Sequence, residues 1–210
     1  VGPREKGIVT GPEIEAAAAS VVRVLGTACG LSITGSGWVA APEIVVTNAH
    51  VVAGEDETEV ETQDGSLLEA FAVFYAPRDD LAILRVPGLA NEPLAFDSRP
   101  RSGTPGASAG FPGGGPFTLE AARLGTTGEV TSEDSYGRGP IQRKMTSFRG
   151  EVRSGNSGGP VIDGDGEVLT TVFASALGGG APEGLGVPNS VAKRALKGLG
   201  DAQVDTGPCA

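Results

Sequence analysis

Short apolar, β-branched runs recur along almost the whole chain, each closed within a few residues by Gly, Pro, Asn or Asp. A helix needs about ten or more residues with apolar positions every three or four, whereas runs bounded by turn formers suit strands joined by tight turns. The runs fall at residues 20–25, 31–34, 37–40, 44–47, 58–62, 67–75 and 81–86, and then at 107–111, 117–124, 126–131, 142–148, 160–162, 167–175 and 184–188. Between two of them, Asp64-Gly65 is a hairpin signal, because both residues tolerate positive φ. With 34 glycines and 15 prolines among 210 residues, the composition argues against an all-helical bundle. No repeat of 20–50 residues is present, which removes propellers and solenoids.

Two helices are expected at the ends. Pro12 opens one ahead of the Ala-rich residues 13–19, after a lead-in over 1–11 that reads as disordered. Asn189-Ser190 caps a second over 191–199, with Val191, Ala195 and Leu199 at helical spacing and Lys193, Arg194 and Lys197 toward its C-terminal end. A polar stretch interrupted by Pro93, Pro100 and Pro105 splits the strands into two groups. The organisation is therefore all-β: residues 1–19 as lead-in and helix, 20–92 as one barrel, 93–106 as linker, and 107–210 as a second barrel with its helix and tail.

A formal charge of −10 and aromatics at 5% disfavour nucleic acid as a partner. No stretch approaches the length of an apolar membrane span, and Val1-Gly2-Pro3-Arg4 is no secretory leader, so a soluble chain is expected. One His and two Cys leave too few ligands for a structural zinc site, and no metal or organic cofactor is expected. A bond between Cys29 and Cys209 would close almost the whole chain and imply an oxidising compartment, with two free thiols as the other reading.

Chemistry concentrates in Ser154-Gly155-Asn156-Ser157-Gly158-Gly159-Pro160. Glycines beside a serine allow a tight turn that exposes its hydroxyl, and they leave neighbouring N–H groups free to converge on an oxyanion. A plain surface turn is the alternative. A serine nucleophile needs an imidazole held by a carboxylate. The sole imidazole is His50, at the end of the apolar run Ile44-Val45-Val46-Thr47-Asn48-Ala49. Asp79 and Asp80 both precede the apolar Leu81-Ala82-Ile83-Leu84, and residue type alone does not separate them.

Together these segments resemble the chymotrypsin-fold serine proteases, most closely the HtrA/DegP-like branch. The resemblance rests on Gly35-Ser36-Gly37-Trp38, Thr47-Asn48-Ala49-His50, Asp80-Leu81-Ala82-Ile83-Leu84, Ala107-Ser108-Ala109-Gly110-Phe111-Pro112 and Gly155-Asn156-Ser157-Gly158-Gly159-Pro160. It implies two six-stranded antiparallel β-barrels and a trypsin-like serine endopeptidase working through an acyl-enzyme. His50 is then the base, Asp80 the orienter, Ser157 the nucleophile, and Gly155 and Ser157 the oxyanion-hole donors. Asn156 stands where the digestive enzymes carry Asp, so activation through a new N-terminal amine is not expected.

Within that branch the acidic chain, without a peptide-binding domain after its last helix, is similar to the actinobacterial membrane-anchored acid-resistance proteases. That resemblance implies a Cys29–Cys209 bridge, an extracytoplasmic (periplasmic or secreted) location, an upstream membrane tether, a stress-response role, protein or peptide substrates and a monomeric protease domain. It also places the specificity pocket near Val172, Phe173 and Ala174, uncharged walls suited to an apolar or small side chain. Glu151 would line the pocket floor, or pair with Arg149 or Arg153 at the rim. The Gly-rich 111–117 segment reads as a loop near the site, and residues 138–144 as a solvated loop. The competing class is a latent or inactive peptide-binding module on the same fold.

Overall fold

The computed structural model of the protein describes residues 1–175 and 183–210. Its strands form two closed antiparallel barrels. In the first, β1 (Val21–Ala28), β2 (Leu31–Ala41), β3 (Ile44–Thr47), β4 (Glu55–Glu61), β5 (Leu67–Ala76) and β6 (Leu81–Arg85) close in the order β1-β2-β3-β6-β5-β4. The second holds β7 (Pro105–Gly110), β8 (Thr118–Ser132), β9 (Ile141–Arg149), β10 (Pro160–Asp163), β11 (Val168–Ser175) and β12 (Glu183–Pro188). It closes as β7-β8-β9-β12-β11-β10, the same order as the first.

Successive side chains of a strand face opposite ways, and here the two faces enter different cores. Ile44 and Val46 of β3, with Leu81 and Ile83 of β6, pack between the barrels against Ala107, Ala109, Phe111, Ile162 and Val187. Val45, Ala82 and Leu84 of the same strands turn inward, with Val22, Val24 and Val39. Burial on both faces is why these runs read as continuous apolar stretches. Trp38 fixes the junction: fully buried on β2, it donates its indole N–H to Thr171 Oγ1 of β11 at 3.1 Å and meets the Phe96 ring edge-on at 5.0 Å.

Two pairs of expected strands are single strands. Residues 31–34 and 37–40 belong to β2, and 117–124 and 126–131 to β8. The intervening glycines allow close packing instead of breaking the strand: a Cβ on Gly35 would lie 2.5 Å from Val51 Cγ1, and one on Gly125 2.7 Å from the Ser147 carbonyl. The lead-in carries a 3-10 turn at Lys6–Thr10 whose Ile8 and Val9 pack on the inter-barrel core. Helix α1 is Pro12–Ala18, α2 is the single turn Ala49–Val52, and α3 is Asn189–Lys197. Asn189 does not cap α3 through its side chain, donating instead to the Val168 carbonyl at 2.6 Å. Among the described residues no helix is long and apolar enough to cross a membrane.

After α3 the chain returns to the first barrel. Val204 N–H donates to Ala72 C=O at 2.8 Å, and the Thr206 carbonyl accepts from Gly54 N–H at 3.2 Å and from Tyr136 Oη at 3.1 Å. Cys209 then bonds covalently to Cys29.

Candidate active site

Both barrels supply the site, which opens where they meet. From the first, β3 passes through Asn48 into α2, whose Val51 and Val52 are buried in the barrel interior and leave the His50 side chain about one-third exposed. Asp80 follows the turn begun at Pro77, closed by Asp80 N–H donating to the Pro77 carbonyl at 3.3 Å. It is fully buried with φ of +51, a left-handed conformation uncommon outside glycine. Asn48 Nδ2 donates to the Asp80 carbonyl at 2.9 Å.

That turn aims one carboxylate at two groups of one residue. Asp80 Oδ1 accepts the His50 backbone N–H at 2.8 Å, and Oδ2 lies 2.7 Å from His50 Nδ1. A carboxylate only accepts, so the proton of the neutral imidazole sits on Nδ1 and the lone pair is left on Nε2. Asp79 is not in this bonding, which separates the two candidates by conformation and burial.

Ser157 comes from the second barrel, between β9 and β10. Asn156 N–H donates to Arg153 C=O at 3.0 Å, and Gly155 at φ +91 occupies the third position of that turn, where a type II turn requires positive φ. Ser36 of β2 clamps the segment from the other barrel. Its N–H donates to the Ser157 carbonyl at 2.8 Å, its Oγ donates to the Gly155 carbonyl at 2.6 Å, and the same Oγ accepts Phe111 N–H at 3.0 Å. Side chains would prevent this approach: a Cβ on Gly158 would overlap the Ser36 carbonyl, and one on Gly159 that of Ala109.

The Gly-rich segment after β7 also takes part. Gly113 N–H donates to the Ser154 carbonyl at 2.6 Å. In a trans peptide the C=O and the following N–H point opposite ways, so Gly155 N–H is turned away from that segment. Among the described residues neither Gly155 N–H nor Ser157 N–H has a hydrogen-bond partner, and both are available as donors to a developing oxyanion. Ser157 Oγ donates to the Phe173 carbonyl at 3.3 Å, and among the described residues no hydrogen bond joins it to His50. Such bonds often tighten only when substrate is bound.

The expected pocket residues divide. Phe173 is half-buried, its ring T-shaped against the His50 ring with centroids 6.2 Å apart. Val172 is fully buried with Phe148, Val161 and Leu169, so its side chain belongs to the second barrel's core and not to a pocket wall. The Ala174 side chain and residues 176–182 lie outside what is described. Glu151 pairs with Arg153 at 2.7 Å, both well exposed. Residues 138–144 are not a solvated loop throughout, since β9 starts at Ile141 and Arg143 is buried. Sequence reasoning missed Ser36 as a clamp; the available signal was its place between Gly35 and Gly37, small neighbours that permit backbone approach.

Residues 35–169 match the family described as trypsin-like peptidase domain. Serine protease Rv3671c of Mycobacterium tuberculosis is 36% identical over 213 residues, covering 100% of this chain and 53% of that protein. A probable periplasmic serine endoprotease DegP-like of Brucella suis is 33% identical over 176 residues, 79% of this chain and 32% of the relative. The chain thus spans about half the length or less of these curated relatives. Among solved structures, the active form of the Rv3671c protease superposes with a TM-score of 0.93 at 37% identity, covering 99% of this chain and 93% of that one. The inactive form of the same protease gives 0.83 at 35% identity, covering 95% and 98%.

Proposed function

Because this chain belongs to the trypsin-like peptidase family, we propose that it is a serine endopeptidase that opens peptide bonds through an acyl-enzyme. The observation that carries the reading is the hold of Asp80 on both Nδ1 and the backbone N–H of His50, facing a serine on a glycine turn. Rotation of Ser157 Oγ from the Phe173 carbonyl to His50 Nε2 lets the imidazole take its proton as the oxygen attacks the substrate carbonyl. Gly155 and Ser157 N–H groups receive the negative charge, and Asp80 stabilises the imidazolium. The imidazolium then protonates the leaving amine, and water repeats the cycle to release the acyl group.

The closer superposition on an active form than on an inactive one supports a working catalyst. The Ser157–Phe173 hydrogen bond favours the second reading, a latent or peptide-binding module on this fold. Fluorophosphonate labelling separates the two. Wild type is expected to label and to cleave an unfolded protein, and Ser157→Ala to do neither while melting as wild type does. Cleavage that survives in Ser157→Ala would overturn the enzyme assignment.

We place its substrates outside the cytoplasm, in envelope, acid or oxidative stress. The disulfide and the periplasmic DegP-like relatives support that location. An upstream membrane tether is part of the same reading, carried by the sequence resemblance alone. A monomeric protease domain is supported by the position of Val1, Leu31 and Leu67, the exposed large apolar side chains among the described residues, on three separate segments. An apolar or small residue before the cleaved bond is supported by Phe173 and by the pairing of Glu151 with Arg153.

A further inference from the structure

Arg143 of β9 is 5% exposed, and burial lowers the pKa of its guanidinium while Asp80, Asp79 and Asp134 oppose that shift. Nη1 donates to the Arg78 carbonyl at 3.4 Å and Nη2 to Ser132 Oγ at 3.2 Å, whereas Nε has no partner among the described residues. A buried cation with an unpartnered N–H is destabilising, so its placement calls for a compensating role. The guanidinium lies 4.3 Å over the Phe173 ring, which meets the His50 ring in a T-shaped arrangement at 6.2 Å, and the Phe173 carbonyl accepts Ser157 Oγ. Arg78 is two residues before Asp80, in a turn whose Pro77 carbonyl also accepts Ser135 N–H of the β8–β9 hairpin at 3.0 Å. One side chain of the second barrel thus touches the residue beside the base and the turn that carries the catalytic carboxylate.

Resting on the endopeptidase reading, we infer that Arg143 is a positioning residue for the His50–Asp80 pair: it holds the Phe173 ring and the Asp80 turn, and its charge offsets part of the Asp80 field so that the base stays unprotonated further into acid. The ionisable groups facing this assembly are Asp79 and Asp80 before β6, Asp134 and Tyr136 on the β8–β9 hairpin, Tyr75 on β5, and Arg78. The anions favour an imidazolium, and Arg143 is the buried cation that opposes it.

The test is the rate of fluorophosphonate labelling of Ser157 as a function of pH, a reaction that needs unprotonated His50. Arg143→Met and Arg143→Gln are expected to lower the plateau several-fold and to move the acid limb upward by about half a pH unit or more. Arg143→Lys keeps the charge but loses the planar stacking, so its limb stays with wild type while its plateau falls. Two neutral variants are included because the Met side chain gives up the hydrogen bonds to Arg78 and Ser132, and folding of either one suffices. A lower plateau with an unmoved limb in a folded neutral variant, or a Lys limb shifted as far as theirs, overturns the assignment. Wild-type protein that never labels would instead remove the endopeptidase reading beneath it.

Discussion

Glu55 shows how a single side chain can couple this fold to pH. Its carboxyl, at the start of β4, lies across Gly26, with Oε2 accepting from Thr58 Oγ1 and Oε1 without a partner among the described residues, beside the returning tail residues Gln203 to Thr206. Burial raises its pKa from 4.5 to about 7 against the opposing Thr58 hydrogen bond. The folded state keeps a proton that the unfolded chain releases above 4.5. This contribution is therefore fully present below the unfolded pKa and is lost as pH rises through about 7. The loss is at most about 3 kcal/mol, and Glu55→Gln should flatten it, as read from urea midpoints between pH 5 and 8. At this scale the sequence was legible for Ser157 and His50, by glycine flanks and by there being one imidazole. Asp80 and Asp79 were separated only by the family resemblance, because backbone conformation and burial distinguish them and neither follows from residue type. Arg143 read as solvated because a charged residue near turn formers usually is.

Among the elements, strand number was harder to read than strand existence. Gly35 and Gly125 read as breaks, yet each sits where a neighbouring segment comes too close for a side chain. Glycine has both uses, and only the partner across the sheet tells them apart. The same close approach lets β2 reach the turn that carries Ser157. Ser36 Oγ links the Gly155 carbonyl and the Phe111 N–H, so Ser36→Ala leaves two buried backbone groups unpaired. The expected loss is about 1–3 kcal/mol in chemical denaturation, with slower labelling of Ser157 because the Gly155–Ser157 turn loses its brace. Equal stability and equal labelling in Ser36→Ala would show that the clamp contributes nothing.

For the whole molecule, alternation along β3 and β6 feeds one core between the barrels and another inside the first, so the faces of the cleft are set by shared packing. This was legible as two strand groups around a proline-rich linker, and the expected Cys29–Cys209 bridge already tied the tail to the first barrel; the path of residues 201–208 along Ala72 and Gly54 was not, since it rests on backbone hydrogen bonds that residue type does not mark. The Cys29–Cys209 bond spans 180 residues, and a closed loop of that size stabilises by about 5 kcal/mol on the chain-entropy account, an upper figure. Cys29→Ser or added reductant should lower the melting temperature, and equal melting curves would show that the bond adds no stability.

That bond has a second consequence, for what happens when the chain is nicked. Any single backbone cut between residues 30 and 208 falls inside the covalent ring that it closes. A nick in the linker or in the β8–β9 hairpin therefore leaves both pieces in one particle, with the core between the barrels still shared by them. Such a molecule runs as two fragments only after reduction, so a proteolytic scar and a loss of the assembled chain are separate events.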